Sequence, residues 1–193
     1  MGEGHDPWGC VRGLVTQRMV RPREAILTVP MSDIIEERAQ SDDVRCCFEQ
    51  YYAELVERFE GGFDVAAALP LGLDELTPPR GLVLVARLDG RPVGCGAVKL
   101  SDVRVAEIKR MWVASAARGQ GLGGRLLAEL EARAGTAGKA VARLETDRTL
   151  AEAISLCRSR GYREVEPFND ERYGDHWFEK DLTTGGSSAL RQP

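Results

Sequence analysis

Two groups of residues in the middle of the chain have types and spacing that could do chemistry. The first is Arg118-Gly119-Gln120-Gly121-Leu122-Gly123-Gly124, which runs into Leu122, Leu126, Leu127, Leu130 and Ala134. Those apolar positions fall on one helical face, so the glycines sit at a helix start. A helix N-terminus carries backbone N–H groups with no partner inside the helix and the positive end of the dipole. Glycine lets the backbone close around an anion, and Arg118 adds a permanent cation with a planar donor fork. Together they read as a diphosphate cradle. The second is Glu107, in Glu107-Ile108-Lys109-Arg110-Met111-Trp112-Val113, whose apolar, β-preferring end leads into the cradle. A carboxylate placed this way can take a proton from a nucleophile. The plainer alternative pairs it with Arg104, Lys109 or Arg110.

Two common diphosphate motifs do not fit. A nucleotide P-loop ends in Gly-Lys-Ser/Thr, whereas Arg125 and Leu126 follow Gly124. A dinucleotide fingerprint wants G-x-G-x-x-G in the first βα unit, and this glycine spacing, in mid-chain, differs.

The run Arg-Gly-x-Gly-x-Gly after a strand ending in Val113 resembles the GNAT superfamily of acetyl-CoA-dependent N-acetyltransferases, over roughly Ala25 to Leu182. The resemblance implies an α/β fold: a mixed central sheet of about six to seven strands, splayed between the fourth and fifth and flanked by helices. It implies acetyl-CoA as co-substrate, with no metal. The pyrophosphate would lie on Arg118, Gly119, Gln120, Gly121, Leu122, Gly123 and Gly124, and pantetheine along Met111, Trp112 and Val113. The activity implied is direct attack of a primary amine on the thioester through a tetrahedral intermediate, with Glu107 as base.

One position departs from that pattern. Many members carry a tyrosine in the last helix, in a run like Ala-Ile-x-Leu-Tyr, which protonates the departing thiolate. Here the run is Ala153-Ile154-Ser155-Leu156-Cys157. Three explanations stay open: another tyrosine such as Tyr173 or Tyr51 donates, the thiolate leaves unaided, or the domain is a weak or non-catalytic acyl-CoA-binding module. Cys157 and Arg160 are placed beside the cofactor, with Arg158 or Arg160 toward its 3′-phosphate. Tyr51, Tyr52, Glu54 and Arg58 are candidate acceptor contacts, as are Asn169, Asp170 and His176 near the last strand. Core packing and solvated helix faces are the plainer readings of these.

The elements that position these groups follow from patterning. Ala25 to Val29 is a plausible first strand stopped by Pro30, with a short helix through Ile34 and Ile35. Ser41-Asp42-Asp43 caps a helix whose Val44, Cys47, Phe48, Tyr51, Tyr52, Leu55 and Phe59 share a face. Phe63 to Pro79 reads as an irregular loop or lid. Gly81 to Leu88, the turn Asp89-Gly90 and Pro92 to Leu100 make a hairpin. Ala140 to Glu145, Tyr162 to Val165 and His176 to Leu182 are strands, and Leu150, Ala153, Ile154 and Cys157 mark a helix stopped at Gly161.

Length and composition set the frame. A chain of 193 residues with 43% hydrophobic and 29% charged residues suits one globular domain. Residues 1–22 read as a flexible arm, 23–182 as the acetyltransferase domain and 183–193 as a disordered tail. A net charge of −4 argues against general nucleic-acid binding. No apolar run approaches a membrane span and no signal pattern opens the chain, so the cytoplasm is expected and no membrane partner. Five scattered cysteines without CxxC, and only two histidines, offer no metal spacing and read as reduced thiols. Acidic residues dominate from Asp33 to Asp89 and basic ones from Lys109 to Arg163, which suits an anionic cofactor and a small cationic amine. A homodimer is left open by the family's habits.

Overall fold

The computed structural model describes residues 33–59, 61–66 and 72–183. Its elements are β1 (Asp33–Glu37), α1 (Asp42–Arg58), β2 (Gly81–Leu88), β3 (Arg91–Lys99), β4 (Val105–Val113), α2 (Leu122–Thr136), β5 (Val141–Thr146), α3 (Ala151–Ser159), β6 (Arg163–Val165) and β7 (His176–Asp181). They form one seven-stranded sheet in the order β1-β2-β3-β4-β5-β7-β6. All neighbours run antiparallel except β4 and β5. This is the mixed, splayed α/β architecture that the resemblance implies.

Local sequence explains most boundaries. Ser41 caps α1, its hydroxyl accepting from the Val44 N–H at 3.3 Å. Asp42 and Asp43 complement the dipole in the first turn. The apolar face of α2 is buried completely at Leu126, Leu127, Leu130 and Ala134, and each fully buried leucine is worth roughly 1.5–3 kcal/mol.

One expected element changes type. Ile34 and Ile35 belong to strand β1, not a helix, and pair with Ala86 and Val85 of β2. Five residues are too few to offset helix nucleation, while β2 offers an open edge to two β-branched side chains. The expected strand at Ala25 to Val29 lies outside the described residues, as do residues 1–22 and 184–193. Within the stretch read as an irregular loop, Leu73–Leu76 forms a 3-10 turn, and its Leu76 is 1% exposed. Leu76 anchors that turn in the core, while Leu73 beside it is exposed.

β4 is shaped by an irregularity. Cys95 pairs with Trp112 and Ala97 with Lys109, so Gly96 faces both Arg110 and Met111. Arg110 takes a left-handed φ of 52° to make this bulge, a conformation costing roughly 1–3 kcal/mol for a non-glycine residue. Its guanidinium is held over the Phe48 and Tyr52 rings of α1, at 4.7 and 5.7 Å from the centroids. Beyond the bulge, Trp112 reaches α1 through Glu54. Met111 and Val113 turn the other way, beside Leu130 and Leu126 of α2, as the space around Gly96 and Gly94 shows.

Gly94 pairs with Val113 at the tip of β4. A Cβ there would lie 2.9 Å from the Trp112 carbonyl oxygen and 3.3 Å from Leu126 Cδ1. Gly94→Ala is therefore expected to destabilise the fold by about 1–3 kcal/mol, from overpacking against backbone that cannot swing aside. Urea unfolding at pH 7 checks this.

Candidate functional site

The site begins where two strands part. β4 and β5 pair only at Val105–Val141, Ala106–Ala142 and Glu107–Arg143. From Ile108 to Val113 the β5-facing edge of β4 has no strand partner. The gap opens into a cavity of about 660 Å³ that reaches from the Gly119–Gly124 turn to the aromatic end of α1.

At the turn, Gly119 and Gly121 adopt φ of 77° and 75°, and a Cβ at either would meet nothing within 4 Å. The backbone is thus bent, exposed and open. Gly121 is the N-cap of α2 and supplies no side-chain cap, so the first amides of α2 keep their donors for a ligand. Leu122, Gly123 and Gly124 line the cavity with Arg118, Gly119 and Gly121, whereas Gln120 is exposed outside the lining. Gly124 is required for a different reason. A Cβ there would sit 1.9 Å from Arg160 Nη2, so the Arg160 guanidinium rests in the notch that the glycine leaves. Arg160 lies against the first turn of α2 without lining the cavity.

Arg118 is engaged by the protein itself. Its Nε donates to the Val113 carbonyl at 2.9 Å, and its Nη2 donates to both oxygens of Glu54, at 2.7 and 2.5 Å. Glu54 also accepts from Trp112 Nε1 at 2.9 Å and from Arg58 Nη1 at 3.1 Å. Burial opposes charge on Glu54, but the bonds from Arg118, Trp112 and Arg58 win and lower its pKa. Arg58 continues the network to Glu152 and to the Thr149 carbonyl, the latter at 2.8 Å. Glu54 and Arg58, expected among the acceptor contacts, thus tie α1 to β4, the turn and α3; Glu54 lines the cavity and Arg58 does not. The pair of Glu54 with Arg58, four positions on, is readable from helix spacing, whereas its partners Trp112 and Arg118, 58 and 64 positions away, had no signal in sequence.

Glu107 lines the cavity at the last paired position before the splay. Its nearest cation is Lys109, Nζ 3.8 Å from Oε2, and that ammonium also pairs closely with Glu145. Arg143, its cross-strand partner, is taken by Glu179 at 2.7 Å. Glu107 is thus only loosely held. Glu145, whose side chain is 9% exposed, faces the same cavity and was not anticipated. Its position two residues past Arg143 on the splayed edge of β5 was the available signal. Asn169 donates to Glu145 at 3.4 Å and accepts from Trp177 Nε1 at 2.8 Å. It buttresses Glu145 from behind and does not line the cavity.

The aromatic end gathers Tyr51, Tyr52, Phe59, Phe63 and Tyr173 around the cavity. The Tyr173 hydroxyl accepts from the Asp64 N–H at 2.8 Å, which leaves its own proton free to donate. Burial pushes the Tyr51 and Tyr52 phenols above their ordinary value. Cys157 lines the opposite wall, 3% exposed, and burial pushes its thiol up to about 12. It stays a thiol at neutral pH and is too weak an acid to protonate a thiolate of ordinary basicity. His176 lies outside the cavity, its Nδ1 2.5 Å from Glu164, and Asp170 is exposed outside the lining.

Among the described residues lining the cavity, the carboxylates Glu54, Glu75, Glu107, Glu145, Asp147, Glu152 and Glu171 outnumber the cations Lys99, Lys109, Arg110 and Arg118. No group of three or more His, Cys, Asp or Glu side chains among the described residues is arranged to hold a metal. No helix among them is long and apolar enough to cross a membrane. Cys47, Cys95 and Cys157 are free and buried. Cys46 is disulfide-bonded, against the expectation of reduced thiols.

A strand that leaves its neighbour and delivers the chain to a glycine-rich helix start is an arrangement found in known proteins. The family model described as Acetyltransferase (GNAT) family matches residues 40–162, and the chain belongs to that family. It is 40% identical over 99 residues to an IAA acetyltransferase from Azospirillum brasilense and 36% identical over 93 residues to an uncharacterized N-acetyltransferase from Schizosaccharomyces pombe. These alignments cover 51% and 47% of this chain and only 65% and 57% of the two relatives. Among solved structures, one from Klebsiella pneumoniae, provisionally called an acyl-CoA N-acyltransferase, is 30% identical with a TM-score of 0.63, over 79% of this chain and 99% of that one. A GNAT family acetyltransferase from Elizabethkingia anophelis, solved with acetyl-CoA bound, shares the fold at 16% identity, with a TM-score of 0.53 over 78% of this chain and 97% of that one.

The Arg58–Glu152 pair predicts a pH dependence. Arg58 holds the Glu152 carboxyl down to about 2, from an ordinary 4.5. A lowered folded pKa contributes stability above the ordinary value that is lost as pH falls through the folded one. The Glu152 side chain is 53% exposed, so the contribution stays below about 1 kcal/mol. Glu152→Gln is expected to lower Tm slightly at pH 7, and the difference from wild type is expected to shrink as pH falls from 4.5 toward 2 in thermal melts.

Proposed function

We propose that the chain is an N-acetyltransferase that moves the acetyl group of acetyl-CoA to the primary amine of a small cationic acceptor. The observation that carries this reading is the unpaired edge of β4 from Ile108 to Val113, which ends at an uncapped helix N-terminus. An extended arm with amide groups satisfies such an edge as a strand would, and a diphosphate satisfies the amides beyond it. Family membership and the acetyl-CoA bound in the Elizabethkingia neighbour support the same cofactor. The excess of carboxylates around the cavity supports a cationic acceptor.

The reaction follows from the residues. An ammonium entering the aromatic end gives its proton to Glu107, directly or through water. The freed nitrogen attacks the thioester carbonyl carbon, and negative charge moves to the carbonyl oxygen of a tetrahedral intermediate. As the intermediate collapses the carbonyl re-forms, the C–S bond breaks and the thiolate departs with a proton from a donor, while the nitrogen gives up its second proton to water or to the donor that has just lost its own. Tyr173, whose hydroxyl lines the cavity and accepts from the Asp64 N–H, is taken as the donor; burial, which pushes the Cys157 thiol up, disfavours it in that role.

The test is thiol release from acetyl-CoA over a panel of amines, with mass detection of the product. Glu107→Gln is expected to cut turnover more than tenfold while calorimetric binding of acetyl-CoA is retained. Turnover unchanged at every pH would remove Glu107 from this role. Cofactor binding with no thiol release from any amine would favour a non-catalytic acyl-CoA-binding module, the reading for which Cys157 in place of a tyrosine speaks.

A further inference from the structure

The acceptor end of the cavity has a composition that selects among amines, and the inference rests on the acyl-transfer reading above. Five rings form a continuous chain of contacts. Tyr51 meets Tyr52 with centroids 5.1 Å apart, Tyr52 meets Phe63 at 6.2 Å, and Phe63 meets Phe59 at 5.2 Å. Tyr173 closes the set, 4.4 Å from Phe63 and 5.6 Å from Phe59. All five line the cavity. They come from the last turns of α1, the segment after it and the loop before β7. The bond from the Asp64 N–H to the Tyr173 hydroxyl joins the last two. This wall is therefore assembled from distant parts of the chain and pinned in place.

Two of the carboxylates nearby are already taken by ammonium groups of the protein. Glu75 is paired with Lys99 at 2.9 Å and Glu145 with Lys109. Glu107, 3.8 Å from Lys109, and Glu171, near Tyr52, are less closely held. A polyamine would need several carboxylates in a row without cations of their own. Sugar hydroxyls are commonly held by side-chain amides, yet among the described residues no Asn or Gln lines the cavity, and its hydroxyls are those of Thr146 and three tyrosines of the aromatic wall. An aryl ring, by contrast, gains offset or edge-to-face contacts with such a wall, and the adjoining ammonium gains from the faces of the same rings.

We propose that the acceptor is an arylalkylamine-like molecule, with an aryl-sized apolar body against Tyr52, Phe63 and Tyr173 and one primary ammonium directed to Glu107.

Phenethylamine, spermidine and glucosamine distinguish the alternatives, each titrated into the CoA-loaded protein and each assayed by thiol release from acetyl-CoA. Phenethylamine is expected to bind and react about tenfold or more better than the other two, the equivalent of one well-placed aromatic contact set. Phe63→Ala is expected to pull that ratio toward one, and Phe63→Tyr to restore it, both variants still binding CoA. Spermidine or glucosamine performing as well as phenethylamine, or a ratio indifferent to Phe63→Ala, would overturn the proposal. Tightest binding of phenethylamine with no thiol release from any amine would refute acyl transfer while leaving the pocket preference standing.

Discussion

A β-strand edge carries backbone donors and acceptors that must be paired, hydrated or satisfied by a ligand. In this protein β4 meets β5 for three residue pairs and then leaves it, and the organisation of the site depends on that parting. The bulge at Arg110 occurs in the unpaired stretch and sends Trp112 toward α1 while Met111 and Val113 turn to α2. A 3-10 turn, Ser115–Ala117, then carries the chain from the strand to the glycine turn, so an open edge and an open helix N-terminus follow each other along the chain. A ligand with amides in its arm and phosphates at its end has the same order of groups.

Beside the glycine turn Glu54 gathers Arg118, Arg58 and the Trp112 indole into one network. Because Arg118 already bonds the Val113 carbonyl and Glu54, its guanidinium is held across the mouth of the cradle. At the start of the splay Lys109 is shared between Glu145, closely, and Glu107, at 3.8 Å.

Much of this was legible in the sequence because it is local. The helix of Leu126, Leu127 and Leu130, the Ser41 cap, the Asp89-Gly90 hairpin and the glycine turn are each written within a few residues. Ile34 and Ile35 were misread because their conformation is set by the edge of β2, some fifty positions away. The inward face of Leu76 depends on packing of the same kind. At the site, the cavity-lining positions of Glu107, Trp112 and Gly121 follow from a motif. The partnership of Glu54 with Arg118, and of Glu145 with Lys109, depends on long-range approach that no spacing encodes.

The claim that carries the account is that the free edge of β4 and the amides of α2 together hold a thioester carrier by its arm and its diphosphate. Calorimetric titration of the intact protein with coenzyme A and, separately, with pantetheine tests it most directly. The account predicts saturable heat with coenzyme A and binding weaker by at least about a hundredfold with pantetheine, since two or more charge-assisted contacts would be lost. No heat with coenzyme A, or equal affinity for the two, would contradict it.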